Sequence, residues 1–210
     1  MRKDFVSRQQ VNLIPERLRK AEETDATKEL KRYMWDLYKE KNFTPMKIMI
    51  VGAGGSYPAA IFAKHAVGDK VRTPYVEAAP PQTAIKILTQ FDHVNFGEWN
   101  PKYDLVIGIS YSGRTPDIKY VAEICAKKGF NFLLLTGVEK STLSDIYQED
   151  NKVKIVSYFN PEDNTGEESG MISMVSTLAP TIIFDDSWSS KLISENQKAL
   201  IDGEKFVSDL

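Results

Sequence analysis

From Met46 onward the chain alternates short, dense apolar runs with longer helix-like stretches, and this alternation constrains the fold more than any other feature. The runs at 47–51, 71–77, 104–110, 131–136 and 153–157 read as strands. They are rich in Ile, Val and Leu and lack the in–out alternation of a half-exposed sheet, as expected of strands covered on both faces. Between them lie helical stretches near 57–67, 81–91, 116–128, 141–148 and 168–184. Five such units predict an α/β fold: a three-layer, doubly wound, five-stranded parallel sheet. In the flavodoxin-like order 2-1-3-4-5, strands one and three are neighbours at the switch point, and ligands bind beyond their carboxyl ends.

The turns after those two strands are the chemically suggestive ones. The first reads Gly52-Ala53-Gly54-Gly55-Ser56-Tyr57, with Pro58 suited to the first turn of the helix behind it. It lacks the lysine of a Walker-type loop, and Tyr57 breaks the G-x-G-x-x-G register, so nucleoside triphosphates and dinucleotides are disfavoured. The second, Ser110-Tyr111-Ser112-Gly113-Arg114-Thr115, places three hydroxyls around one glycine ahead of a helix beginning at Pro116. A helix N-terminus offers unpaired N–H groups and the positive end of a dipole. Hydroxyls add neutral donors without requiring a metal. Together the turns form a plausible phosphate cradle in one crevice, with Gly54, Gly55, Ser56, Ser110, Tyr111, Ser112, Gly113 and Thr115 as its residues. Arg114 is a lesser candidate for anion contact.

Bulk properties narrow the partners. Charge is balanced, 27 basic against 29 acidic residues, which gives no support for nucleic-acid binding. No apolar run is long enough to span a bilayer, and Met1-Arg2-Lys3 leads into no apolar signal segment. A single cysteine, Cys125, cannot form an internal disulfide, so a reduced, cytoplasmic setting is the default. The only histidines are His65 and His93, and no Cys/His cluster predicts a metal site. No cofactor is expected. Cys125 reads as a small apolar core residue, and His65 as packing in the first core helix.

In these motifs the chain resembles the SIS (sugar isomerase) family over about Lys47 to Asp185. Ser110-Tyr111-Ser112-Gly113-Arg114-Thr115 matches the family's Ser-x-Ser-Gly-x-Thr phosphate loop in full, and Gly54-Gly55-Ser56 is similar to its Gly-Thr-Ser turn. Gly166-Glu167-Glu168-Ser169-Gly170-Met171-Ile172-Ser173 resembles its Gly-x-Glu-x-Gly-x-x-Ser segment. The resemblance implies phosphosugar binding and aldose–ketose isomerisation, or a related deglycase reaction, through an enediol. Glu168 would carry the proton, and Glu167 is the fallback. The family's late lysine is replaced by Val175, Pro180 interrupts the late helix, and no histidine follows His93 to open a sugar ring. The last departure favours the alternative, a non-catalytic phosphosugar-sensing module. A flavodoxin-like binder of another phosphorylated ligand is a third, weaker reading.

The expected organisation is a helical arm over 1–45, an SIS-type domain over 46–186 and a helical extension over 187–210. The arm's apolar positions, among them Leu30, Met34 and Leu37, are expected to pack on the domain or on a second copy, with Thr24-Asp25 or Thr27 starting a helix. The family's habit of completing sites across an interface implies a homodimer or higher homo-oligomer, with His65 or His93 reaching a partner's Glu168.

Overall fold

A computed structural model describes residues 24–68, 75–90, 103–140, 142, 152–158 and 198. Helix α1 (Asp25–Glu40) precedes β1 (Lys47–Gly52), α2 (Ser56–Gly68), β2 (Tyr75–Ala79), α3 (Pro81–Thr89), β3 (Leu105–Ile109), α4 (Pro116–Lys128), β4 (Asn131–Thr136) and β5 (Val153–Ser157). The five strands form one sheet in the order β2-β1-β3-β4-β5. Every neighbouring pair is parallel. This is the doubly wound order read from the alternation of apolar runs.

Two apolar layers flank the sheet. Successive residues of a strand point to opposite faces, and the cores divide accordingly. Ile48, Ile50, Leu105, Ile107, Leu133 and Leu135 pack with α1 and α2 through Leu30, Met34, Leu37, Ala60 and Ala63. Met49, Val51, Val106, Phe132 and Leu134 pack with α3 and α4 through Ala84, Leu88, Ile118, Val121 and Cys125. The central strand β3 is buried along its whole length, whereas the edge strand β5 is mostly half-buried.

Helix α1 belongs to this core. Thr24 caps it by accepting the Thr27 amide at 3.2 Å. Leu30, Met34 and Leu37 then recur at helical spacing on one buried face. The Thr27 hydroxyl, itself buried, lies 3.4 Å from the Tyr158 hydroxyl just past β5. Lys154 of β5 pairs with Glu29 at 2.5 Å. The arm's described part therefore packs on the chain's own sheet.

Strand β2 runs to Ala79, past the predicted end at 77, while residues 71–74 lie outside the described residues. Ala78 and Ala79 are small enough to continue the strand between α2 and β1, and Pro80-Pro81 ends it. Helix α3 stops at Thr89 rather than 91. The predicted helices near 141–148 and 168–184, the arm before Thr24 and the extension over 187–210 lie outside the described residues, save Thr142 and Lys198.

Candidate functional site

Strands β1 and β3 are adjacent, and Gly52 lies opposite Ile109 in their register. Their C-terminal ends therefore release the two hydroxyl-bearing turns side by side, at the switch point of the sheet. In the first turn the Ser56 amide donates to the Ala53 carbonyl and the Tyr57 amide to Gly54, both at 3.1 Å. Gly54 takes a left-handed φ of 54°. A Cβ on Gly52 would lie 2.4 Å from the Ser56 carbonyl oxygen. Only glycine lets α2 begin so close to β1. Ser56 is 7 % exposed, and its hydroxyl has no hydrogen-bond partner among the described residues. An unsatisfied buried hydroxyl calls for an explanation, and a ligand is one.

The second turn is held more tightly. The Ser110 amide extends the ladder to the Leu135 carbonyl at 3.1 Å, and the Gly113 amide closes a turn on the Ser110 carbonyl at 3.0 Å. Gly113 has a φ of 61°, a conformation that disfavours other residues. Ser110 is buried, with its Oγ 2.8 Å from Thr115 Oγ1. Thr115 is the N-cap of α4, yet its side chain makes no capping bond, because the hydroxyl faces Ser110. Ser112 is exposed, and its Oγ accepts the Arg114 amide at 3.3 Å. The backbone amide of Ser112 makes no hydrogen bond among the described residues. Pro116 fills the first position of α4, where a missing N–H costs nothing.

These groups make a mostly neutral donor surface backed by two helix N-termini. Asp117, in the first turn of α4, accepts a hydrogen bond from Gln82 Nε2 at 2.9 Å. No group of His, Cys, Asp and Glu side chains able to hold a metal occurs among the described residues. Cys125 is buried inside α4, and burial alone pushes its thiol up to about 12. It is a neutral core side chain and not a nucleophile. His65 lies near the C-terminal end of α2, away from the turn at the helix start. Glu167, Glu168 and His93 fall outside the described residues.

Tyr111 and the turn after β4 carry features that the motif reading missed. The Tyr111 carbonyl accepts from Thr136 Oγ1 at 3.0 Å and from the Gly137 amide at 2.9 Å. Its ring lies against Gly137. Thr142 Oγ1 donates to the Gly113 carbonyl at 3.1 Å. The only signal in the sequence was another small-residue turn after a strand, Thr136-Gly137, too common to single out.

A cavity of about 280 Å³ lies at the opposite end of the sheet, lined by Met46, Asp104, Asn131 and Lys152 among others. Its polar groups serve the fold. Asp104 pairs with Lys41 at 2.6 Å and accepts the Lys47 amide at 2.8 Å, and Tyr103 donates to Glu77. Ligands of open α/β sheets bind at the other end.

No protein-family model and no curated protein matches the sequence. Solved structures do match the fold. A Clostridium novyi protein described as a tagatose-6-phosphate ketose/aldose isomerase superposes with a TM-score of 0.66 at 17 % identity, over 97 % of this chain and 50 % of its own. The Vibrio vulnificus NanR protein, solved with ManNAc-6P, gives 0.57 at 14 % identity, over 96 % and 68 %. A phosphoheptose isomerase from Francisella tularensis gives 0.54 at 18 % identity, over 87 % of this chain and 100 % of its own. The chain thus spans half the length of the first and all of the last. It has the SIS fold, shared by proteins described as phosphosugar isomerases and by one solved with ManNAc-6P.

Proposed function

We propose that this chain, with the fold of the phosphosugar isomerases, binds a phosphorylated sugar in the crevice between the turns after β1 and β3. One observation carries the reading. Two hydroxyl-bearing turns leave adjacent parallel strands at the switch point, and between them the Ser56 hydroxyl and the Ser112 amide lack partners among the described residues. A phosphate dianion supplies acceptors for both, and the N-termini of α2 and α4 favour its charge. Ser110, Ser112 and Thr115 add hydroxyl donors, and Gly54, Gly55 and Gly113 let the backbone approach. Solved proteins of the same fold include one holding ManNAc-6P.

The chemistry belongs to Glu168. In Gly166-x-Glu168-x-Gly170, ten residues of chain past Tyr158, it is the group we assign to moving a proton between C1 and C2 through an enediol, with Glu167 as the alternative. The pocket is closed by a second copy of the chain, which brings His65 or His93 to the sugar ring. The phosphosugar-binding domain covers 46–186, joined by α1, which packs on its sheet.

The test is a panel of hexose and amino-sugar 6-phosphates, with aldose–ketose exchange followed by NMR. Isomerisation of one member supports the enzyme. Saturable binding without exchange supports the second reading, a phosphosugar sensor, which the absence of any histidine after His93 favours.

A further inference from the structure

The hydroxyl loop 110–115 is not shaped by its own residues alone. Its carbonyls are taken up by the neighbouring βα turn. The Tyr111 carbonyl accepts from both Thr136 Oγ1 (3.0 Å) and the Gly137 amide (2.9 Å), and the Gly113 carbonyl accepts from Thr142 Oγ1 (3.1 Å). Thr136 is fully buried. Its hydroxyl also sits 3.5 Å from the Val138 amide, so the side chain is fixed from both sides.

A trans peptide holds its C=O and N–H antiparallel. With the Tyr111 carbonyl held toward β4, the Ser112 amide of the same peptide must point away from β4. That is the amide with no partner among the described residues. Reversing this one peptide would withdraw the amide and present a carbonyl in its place. A carbonyl oxygen repels an anion.

Gly137 guards against that reversal sterically. The Tyr111 ring lies directly over it, and a Cβ at 137 would stand 2.0 Å and 2.1 Å from two ring carbons. Any larger residue displaces the ring, which belongs to the same residue whose carbonyl the Gly137 amide holds. Both contacts act on the Tyr111–Ser112 peptide, one through its oxygen and one through the attached side chain.

We infer that Thr136 and Gly137 are positioning residues that set the orientation of the Tyr111–Ser112 peptide and so aim the Ser112 amide at the phosphate of the ligand. This rests on the phosphosugar reading. Neither residue is assigned a contact with the ligand.

Two measurements on the full chain separate the inference from that reading. In ¹⁵N-labelled protein without ligand, T136V and G137A should move the amide resonances of Ser112 and Gly113, while T136S, which keeps the hydroxyl, should leave them near their wild-type positions. Calorimetry with fructose 6-phosphate and glucosamine 6-phosphate should then show affinity reduced about three- to tenfold in T136V, the cost of one hydrogen bond, with a larger loss in G137A and recovery in T136S. Both titrations are run well below the unfolding temperature of each variant, so a loss of stability alone does not register. Unmoved Ser112 and Gly113 resonances, or moved resonances with undiminished affinity, overturn the positioning role. If the wild-type chain binds neither sugar phosphate, the functional reading fails, and the aiming role fails with it even where the resonances move.

Discussion

At the scale of single residues, Ser56 separates stability from function. Its hydroxyl is buried at the start of α2 without a partner among the described residues. Burying a polar group unpaired costs about 1–3 kcal/mol. Ser56→Ala should therefore leave urea-unfolding stability unchanged or raise it slightly. The same change should weaken sugar-phosphate binding by about 1.5–3 kcal/mol, the value of a hydrogen bond to a charged group. A variant that loses stability but not affinity would make Ser56 an ordinary helix cap. Glu168 should behave in the opposite way. If it carries the proton, Glu168→Gln lowers turnover by roughly 10²–10⁴-fold while phosphate affinity survives. Loss of solvent-deuterium exchange at C2 of the substrate reports that step, and equal exchange by mutant and wild type would remove Glu168 from the mechanism.

At the scale of elements, α1 is part of the core. Leu30 is fully buried among residues of the sheet's first face. Leu30→Ala should cost about 2–5 kcal/mol, as for other buried leucines, read as a lowered urea midpoint with the slope unchanged. A cost below about 0.5 kcal/mol, typical of surface positions, would mean that the helix docks only weakly. The elements also show what the sequence made legible. The short runs rich in Ile, Val and Leu located all five strands, because burial on both faces leaves a continuous apolar signature. Their order followed from the rule for doubly wound sheets, and Ser110 to Thr115 fell at a strand-to-helix turn as read. The packing partner of α1 was left open because an amphipathic stripe states that a face is buried, not against what. The Thr136–Gly137 contact was invisible because a hydrogen bond from a side chain to a distant carbonyl has no local pattern. The end of β2 was placed two residues short because Ala78 and Ala79 carry little apolar signal, although they pair with Ile50 and Val51 of β1.

At the scale of the whole molecule, buried and half-buried phenols and one buried thiol among the described residues set the alkaline limit of the fold, Tyr103 among them, its phenol raised by burial and by Glu77. Burial pushes Tyr33, with help from Glu40, up to about 12. It raises Tyr158 to about 12, partly offset by the Thr27 hydroxyl, and Cys125 to about 12. Each keeps its proton in the folded chain after the unfolded chain has released it, at about 8.5 for a thiol and about 10 for a phenol. Stability from these groups is complete below those values and is lost as pH rises toward 12. The unfolding midpoint should therefore fall steadily above about pH 9, and a midpoint constant to pH 12 would contradict the burial of these side chains. Association is the second expectation at this scale. The proposed site needs a ring-opening group from a second copy, so light scattering should give about twice the 23.7 kDa of one chain. A monomeric mass at micromolar concentration would remove the shared site. Recognition of a phosphate on a sugar by the crevice is decided by calorimetric titration with matched pairs of sugars and sugar 6-phosphates, in EDTA. At least one sugar phosphate should bind saturably, its unphosphorylated partner should not, and Ser110→Ala should weaken the binding. Equal heats from sugar and sugar phosphate, or no binding across the panel, would contradict it.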